Sequence, residues 1–186
     1  MAEPRTDRRV ARTRNALMSA FVNLLLSRGY DDFTVEDIAA GADVGRSTFY
    51  LHFKSREDVL KASLAWPSSF LVALVTEDPA PDRIVPLLLH FQEQRHRNRA
   101  MFVHPLRALW VGCLAELIEP HLAATARHAR PALPLPMIAA QIAETQVALI
   151  AQWLGTRSRV KPPLVAQALI ATTRANLDAL MGAPRP

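Results

Sequence analysis

Apolar residues recur every three or four positions along nearly the whole chain, and alternating β-branched runs are almost absent. The first pattern is the period of an amphipathic helix; the missing one is the period of a strand. Six glycines in 186 residues are also too few to turn a series of hairpins. The spacing predicts an all-α fold of about nine helices. The first spans roughly 6–27, with Val10, Leu17, Phe21, Leu24 and Leu25 on one face, and Gly29 supplies a left-handed stop. Thr34 followed by Asp37 reads as an N-cap with an acid three places on, opening a short helix that ends near Gly41. A third helix runs from Arg46 to about Phe53, and Ser55 to Asp58 repeats the capping logic ahead of a longer fourth. Prolines then divide the remainder into helices near 82–97, from Pro105 onward, 137–155 and 163–181, with Pro131, Pro134 and Pro136 as a stiff linker.

Half the residues are hydrophobic and 21% are charged, ordinary values for a soluble globular protein. Cys113 is the only cysteine, which excludes an intramolecular disulfide and suits a reducing, cytoplasmic setting. The charged N-terminus does not read as a signal peptide, and the apolar runs look too interrupted for a membrane span. The net charge is +5, and residues 1–30 hold six arginines against Glu3 and Asp7. Such a cluster permits a polyanionic partner; a solvated basic tail would look the same.

The segment from Phe33 to Phe53 carries the chemistry. Two short helices joined by a turn of three or four residues set the second across the first, where it can enter a major groove. A wheel on residues 46–53 puts Phe49 and Phe53 inward, above Val35, Ile38, Ala39, Ala42 and Val44. Ser47 and Leu51 face outward, flanked by Thr48 and Tyr50. An outward leucine is either a scattered exposed apolar residue or a contact for a thymine methyl. The helix start at Gly45 and Arg46 directs free N–H groups outward, an arrangement that suits phosphate.

The run Thr34-Val35, Ile38-Ala39, Ala42, Val44, Thr48-Phe49-Tyr50, His52-Phe53-Lys54-Ser55-Arg56-Glu57 and Leu60, preceded by Gly29-Tyr30, resembles the TetR/AcrR family signature. The resemblance covers about residues 8–62. It departs from the pattern at Gly45, where the family usually has serine; glycine is itself an acceptable N-cap. The resemblance implies that Tyr50 and Lys54 grip phosphates, that Thr34 meets phosphate at a helix start, and that Arg46, Ser47, Thr48 and Leu51 read bases. Arg5, Arg8, Arg9 and Arg12 would lie along the DNA backbone or in the minor groove, and His52 would support its helix.

The same resemblance divides the chain into a DNA-binding domain over 1–54 and an effector-binding and dimerisation domain over 55–186. It implies a regulator, usually a repressor, that binds a palindromic double-stranded DNA operator as a homodimer and is released by a small molecule. The alternative is a family member without such a ligand, controlled by a protein partner or acting architecturally. Candidate pocket residues are Trp66, Phe70, His90, Phe91, Gln94, Phe102, His104, Trp110 and Cys113; the same aromatics at helical spacing also suit a plain core. His90 interrupts the apolar run Leu87-Leu88-Leu89 and, if buried, needs a partner. The helices near 137–155 and 163–181 are apolar on more than one face and call for a second subunit as cover, with Trp153 in core or interface. No phosphate loop, nucleophile elbow, paired-carboxylate pattern or metal-ligand spacing stands out, so neither an enzyme nor a bound cofactor or metal is expected.

Overall fold

In the computed structural model, residues 5–76, 80–95, 99–126, 130–155 and 160–182 are described. Among them are eight α-helices and no strand: α1 (Arg5–Arg28), α2 (Val35–Gly41), α3 (Arg46–His52), α4 (Arg56–Thr76), α5 (Val85–Glu93), α6 (Leu106–Ala126), α7 (Leu135–Gly155) and α8 (Pro162–Met181). Two single 3-10 turns, Pro81–Arg83 and Arg99–Phe102, precede α5 and α6. The fold class read from the periodicity is therefore observed. Of the expected 82–97 helix, the 3-10 turn takes up the first residues and α5 runs from Val85 to Glu93 with Gln94 as its C-cap; residues 96–97 of the expectation lie outside the described part.

The chain forms two compact units, Met1–Trp66 and Pro67–Pro186. This boundary falls inside α4, twelve residues beyond the 54/55 division that the resemblance implies. Val59, Leu60 and Leu64 explain the difference, since these residues of α4 are buried with the first unit. That unit closes around Leu17, Phe21 and Leu25 of α1, Phe33, Ile38 and Ala39, and Phe49 and Phe53. Val10 belongs to the α1 stripe by spacing, but it is exposed, as are residues 8–12 generally. Gly29 adopts φ +92°, a left-handed conformation that an L side chain resists.

α4 is long and apolar enough to cross a membrane by length and composition, contrary to the sequence expectation. Averaged over the helix, its leucines and valines outweigh the interruptions at Ser63, Pro67 and Ser68. Its apolar side chains are used for packing, with Val59, Leu60, Leu64, Leu71 and Leu74 all buried.

The second unit packs α6 on α7 and α7 on α8. α7 sends Ile138, Ile142, Val147, Ile150 and Trp153 inward, and α8 sends Val165, Leu169 and Met181. Phe91, Phe102 and Trp110 meet as one aromatic cluster with ring centroids 5.2–5.8 Å apart. Its polar edge is satisfied where Trp110 Nε1 donates to Ser68 Oγ at 3.2 Å. Gln146 is fully buried and ties three helices together, its Nε2 donating to the Leu71 carbonyl at 3.2 Å and to Thr173 Oγ1 at 3.1 Å. α8 stops at Gly182, φ +72°, where a Cβ would lie 2.6 Å from the Arg130 carbonyl oxygen.

Candidate nucleic-acid interface

The N-terminus of α2 is built by a reciprocal cap. Thr34 Oγ1 accepts from the Asp37 N–H at 3.3 Å, while Asp37 Oδ2 accepts from the Thr34 N–H at 2.8 Å and from the Thr34 hydroxyl at 2.9 Å. The Thr34 N–H and hydroxyl, followed by the Arg28 guanidinium 3.5 Å away, hold the Asp37 carboxyl below its ordinary pKa. The Thr34 N–H and hydroxyl thus both donate to Asp37. Removing the cap with Thr34→Ala destabilises the first unit by about 1 kcal/mol, read as a lower urea midpoint. Because the Asp37 pKa is depressed in the folded state, its contribution is present at neutral pH and lost as pH falls through that depressed value. Asp37→Asn accordingly flattens the acid limb of the stability profile; an unchanged limb refutes the assignment.

Residues 42–45 form the turn between α2 and α3, with Asp43 in the left-handed region at φ +53°. Gly45 is the N-cap of α3 in extended geometry and makes no side-chain cap bond, as its missing hydroxyl requires. The α3 stripe then divides sharply. Phe49 is fully buried and Phe53 nearly so, whereas Arg46, Ser47, Tyr50, Leu51 and Lys54 are exposed and Thr48 half-buried. Leu51, 82% exposed, is the most open large apolar residue of the head.

Several side chains brace this outward face. Arg14 of α1 donates to the His52 carbonyl at 3.1 Å and stacks 4.3 Å from the Phe53 ring centroid, placing a cation at the negative end of α3. Arg56 donates to the Tyr30 and Phe33 carbonyls and lies over both rings. The Lys54 N–H donates to Asp58 Oδ2 at 2.9 Å, and Ser55 Oγ accepts from the Asp58 N–H at 3.2 Å, so α4 begins on its own cap beside α3. Arg46 reaches back to α2, with Nη1 2.7 Å from Glu36 Oε1 and its guanidinium 5.7 Å from the Tyr50 ring centroid. Tyr50, Leu51, Lys54, Arg14 and Lys61 line one groove of about 430 Å³ along the C-terminal side of α3. Arg14, Glu36, Arg56 and Lys61 carry no role in the sequence reading. The signal for Arg14 is its place on the buried α1 stripe, three residues before Leu17 and seven before Phe21.

The family described as bacterial regulatory proteins, tetR family, matches residues 17–63, the segment that builds this head. Over these residues the chain matches the TetR family. Two curated relatives are similar to this chain over part of its length. The HTH-type transcriptional regulator TcmR of Streptomyces glaucescens is 40% identical over 69 residues, 37% of this chain and 30% of the relative. The uncharacterized HTH-type transcriptional regulator YxbF of Bacillus subtilis (strain 168) is 32% identical over 81 residues, 43% of this chain and 21% of the relative. The matched part thus spans less than a third of either relative's length. A TetR-family regulator from Streptomyces coelicolor A3 shares the fold, with a TM-score of 0.60 at 19% identity over 90% of this chain and 95% of that one.

Among the described residues, those named for a pocket lie in several places. Phe91, Phe102 and Trp110 pack on one another, as above. Phe102 also lines a cleft of about 250 Å³ with Val103, Arg107, Ala148, Ala151 and Leu154. Phe70 lines a separate cleft of about 200 Å³ with Ser69, Ala73, Arg83 and Ile84. His90 and Cys113 are half-buried, Gln94 and His104 are exposed, and Trp66 belongs to the first unit, 49% exposed. No group of three or more metal-binding side chains occurs among the described residues. Of the basic arm, Arg8, Arg9 and Arg12 are exposed, and the side chain of Arg5 lies outside the described part.

Proposed function

We propose that this chain is a cytoplasmic transcriptional repressor that acts by binding rather than catalysis, gripping a palindromic DNA operator as a homodimer. The observation that carries this reading is the division of α3. Phe49 and Phe53 anchor it in the core, while Arg46, Ser47, Tyr50 and Leu51 stand outward beside Lys54. A helix so anchored presents a fixed row of side chains to the major groove, and each head of a dimer reads one half-site about 10 bp or a multiple of it from the other. Tyr50 and Lys54 supply phosphate contacts; Arg46, Ser47, Thr48 and Leu51 meet base edges. Thr34 shapes the start of α2.

Release comes from a small-molecule effector in the second unit. It must bind the conformer that no longer fits the operator more tightly than the one that does. The clefts beside Phe102 and Phe70 are the places from which such a molecule would be admitted.

Lys54→Ala and Leu51→Ala separate the two kinds of contact. Losing a phosphate contact weakens binding to all duplexes alike and lowers the log–log salt slope by about 0.9. Losing a methyl contact changes which bases a randomised-operator selection returns. A Lys54→Ala defect confined to one operator variant, or unchanged base preference in Leu51→Ala, refutes the respective role.

A further inference from the structure

The outward face of the head carries an acid that DNA binding alone does not explain. Glu36 lies in the first turn of α2 and Arg46 is the first residue of α3, and the fold brings their charges to 2.7 Å. Both side chains are more than half exposed, 53% and 64%, and ion pairs so exposed contribute little to stability. The Arg46 half of the pair is also braced from within α3. The Tyr50 ring lies beneath the Arg46 guanidinium, and a Tyr50 hydrogen bond, followed by the Glu36 charge, raises the Arg46 pKa further. A carboxylate held beside a cation meant for DNA repels the phosphates that cation would attract.

We propose that Glu36 is a specificity-determining residue, which withholds Arg46 from non-specific phosphate contacts and yields it only to an acceptor better than itself. This rests on the DNA-binding reading above. Exchanging Glu36 for either kind of acceptor frees its carboxylate beside the DNA, and exchanging it for one phosphate only trades one anion for another, in whatever register an arbitrary duplex is met. Exchanging it for the O6 and N7 edge of a guanine makes two hydrogen bonds at a distance from the phosphates. Affinity for arbitrary DNA comes almost wholly from released counterions, so keeping one guanidinium back lowers that background while sparing a cognate site.

The test is a salt series with the full chain on a short mixed-sequence duplex, followed by fluorescence anisotropy. Glu36→Gln is expected to bind this duplex several-fold more tightly than wild type, with a log–log salt slope steeper by about 0.9. On an operator selected by the wild-type protein from randomised duplexes its affinity changes less, so the specificity ratio falls. Glu36→Ala gives the same result, and circular dichroism shows both variants folded, as expected for an exposed position. In an Arg46→Gln background the effect of Glu36→Gln on the slope disappears. A steepening that persists without Arg46 assigns Glu36 a general repulsion and overturns the proposal, as does an unchanged slope in the single variant. A wild-type protein without salt-dependent DNA binding overturns the underlying reading, and this one with it.

Discussion

Phe49→Ala lowers the stability of the first unit by about 3–5 kcal/mol and abolishes DNA binding. Phe49 is fully buried, with its ring edge-on to Tyr50 at 5.4 Å and tilted against Phe53 at 6.0 Å. Truncation removes the ring from water-free packing and leaves a cavity that the short helices around it cannot close. A loss of this size is a large share of the 5–15 kcal/mol that holds a typical domain together. α3 is only seven residues long, far too short to persist in water without its packed face. Chemical denaturation followed by hydrogen exchange is the measurement: amides of α2 and α3 lose protection, while those of α7, with its own core around Ile142 and Ile150, keep it. Leu51→Ala on the opposite face of the same helix is the control and changes stability by no more than about 0.5 kcal/mol. Equal stability losses for the two substitutions contradict the inward and outward assignment of the stripe.

The head was legible because its rules are local. A cap is written within three residues, so Thr34 with Asp37 announces α2 without knowledge of the rest of the chain. The inward placement of Phe49 and Phe53 follows from a spacing of four. What escaped was every contact whose acceptor is a backbone carbonyl or a distant side chain. Arg14 finds the His52 carbonyl 38 residues away, and Arg56 finds the Tyr30 and Phe33 carbonyls 26 and 23 residues away. A carbonyl leaves no mark in the sequence. Glu36 is visible in the sequence, but its pairing depends on how α2 and α3 cross, so Arg46 read as a base-reader rather than as half of a pair.

The second unit was less legible, because a ring against a ring and a ring against a cavity demand the same residue at the same spacing. Phe91, Phe102 and Trp110 turned out to be one another's neighbours. His90 drew attention as a polar break in an apolar run, yet it is only half-buried. The fully buried amide is Gln146, on the same α7 stripe as Ile142 and Ile150. Its position was visible, but its two acceptors, on α4 and α8, were not.

Glutamates introduced together at Ala140 and Ala171 are expected to convert the proposed homodimer into monomers and to lower operator affinity by about 10²–10⁴-fold. Both alanines are exposed, on α7 and α8, beside other side chains that no described part of the chain covers. Met137 and Leu164 are 56% and 57% exposed, and Gln141, Gln167 and Ala175 are open as well. Small residues allow two helix pairs to approach closely, so in the proposed homodimer a second copy of α7 and α8 would complete a four-helix interface. In a two-fold interface each substitution occurs twice, on self-complementary surfaces. Four carboxylates without partners would then be buried, at several kcal/mol each. Each monomer retains its head and its phosphate contacts, so binding to arbitrary duplex falls far less than binding to the palindrome. The larger loss arises because a second head tethered to the first acts at high effective concentration, an advantage of that same 10²–10⁴ order. Multi-angle light scattering gives the mass directly, and Ala140→Ser with Ala171→Ser keeps the dimer as the uncharged control. A glutamate variant that still scatters as a dimer places the interface on other helices, and one that becomes monomeric yet binds the palindrome as wild type does separates dimerisation from operator recognition.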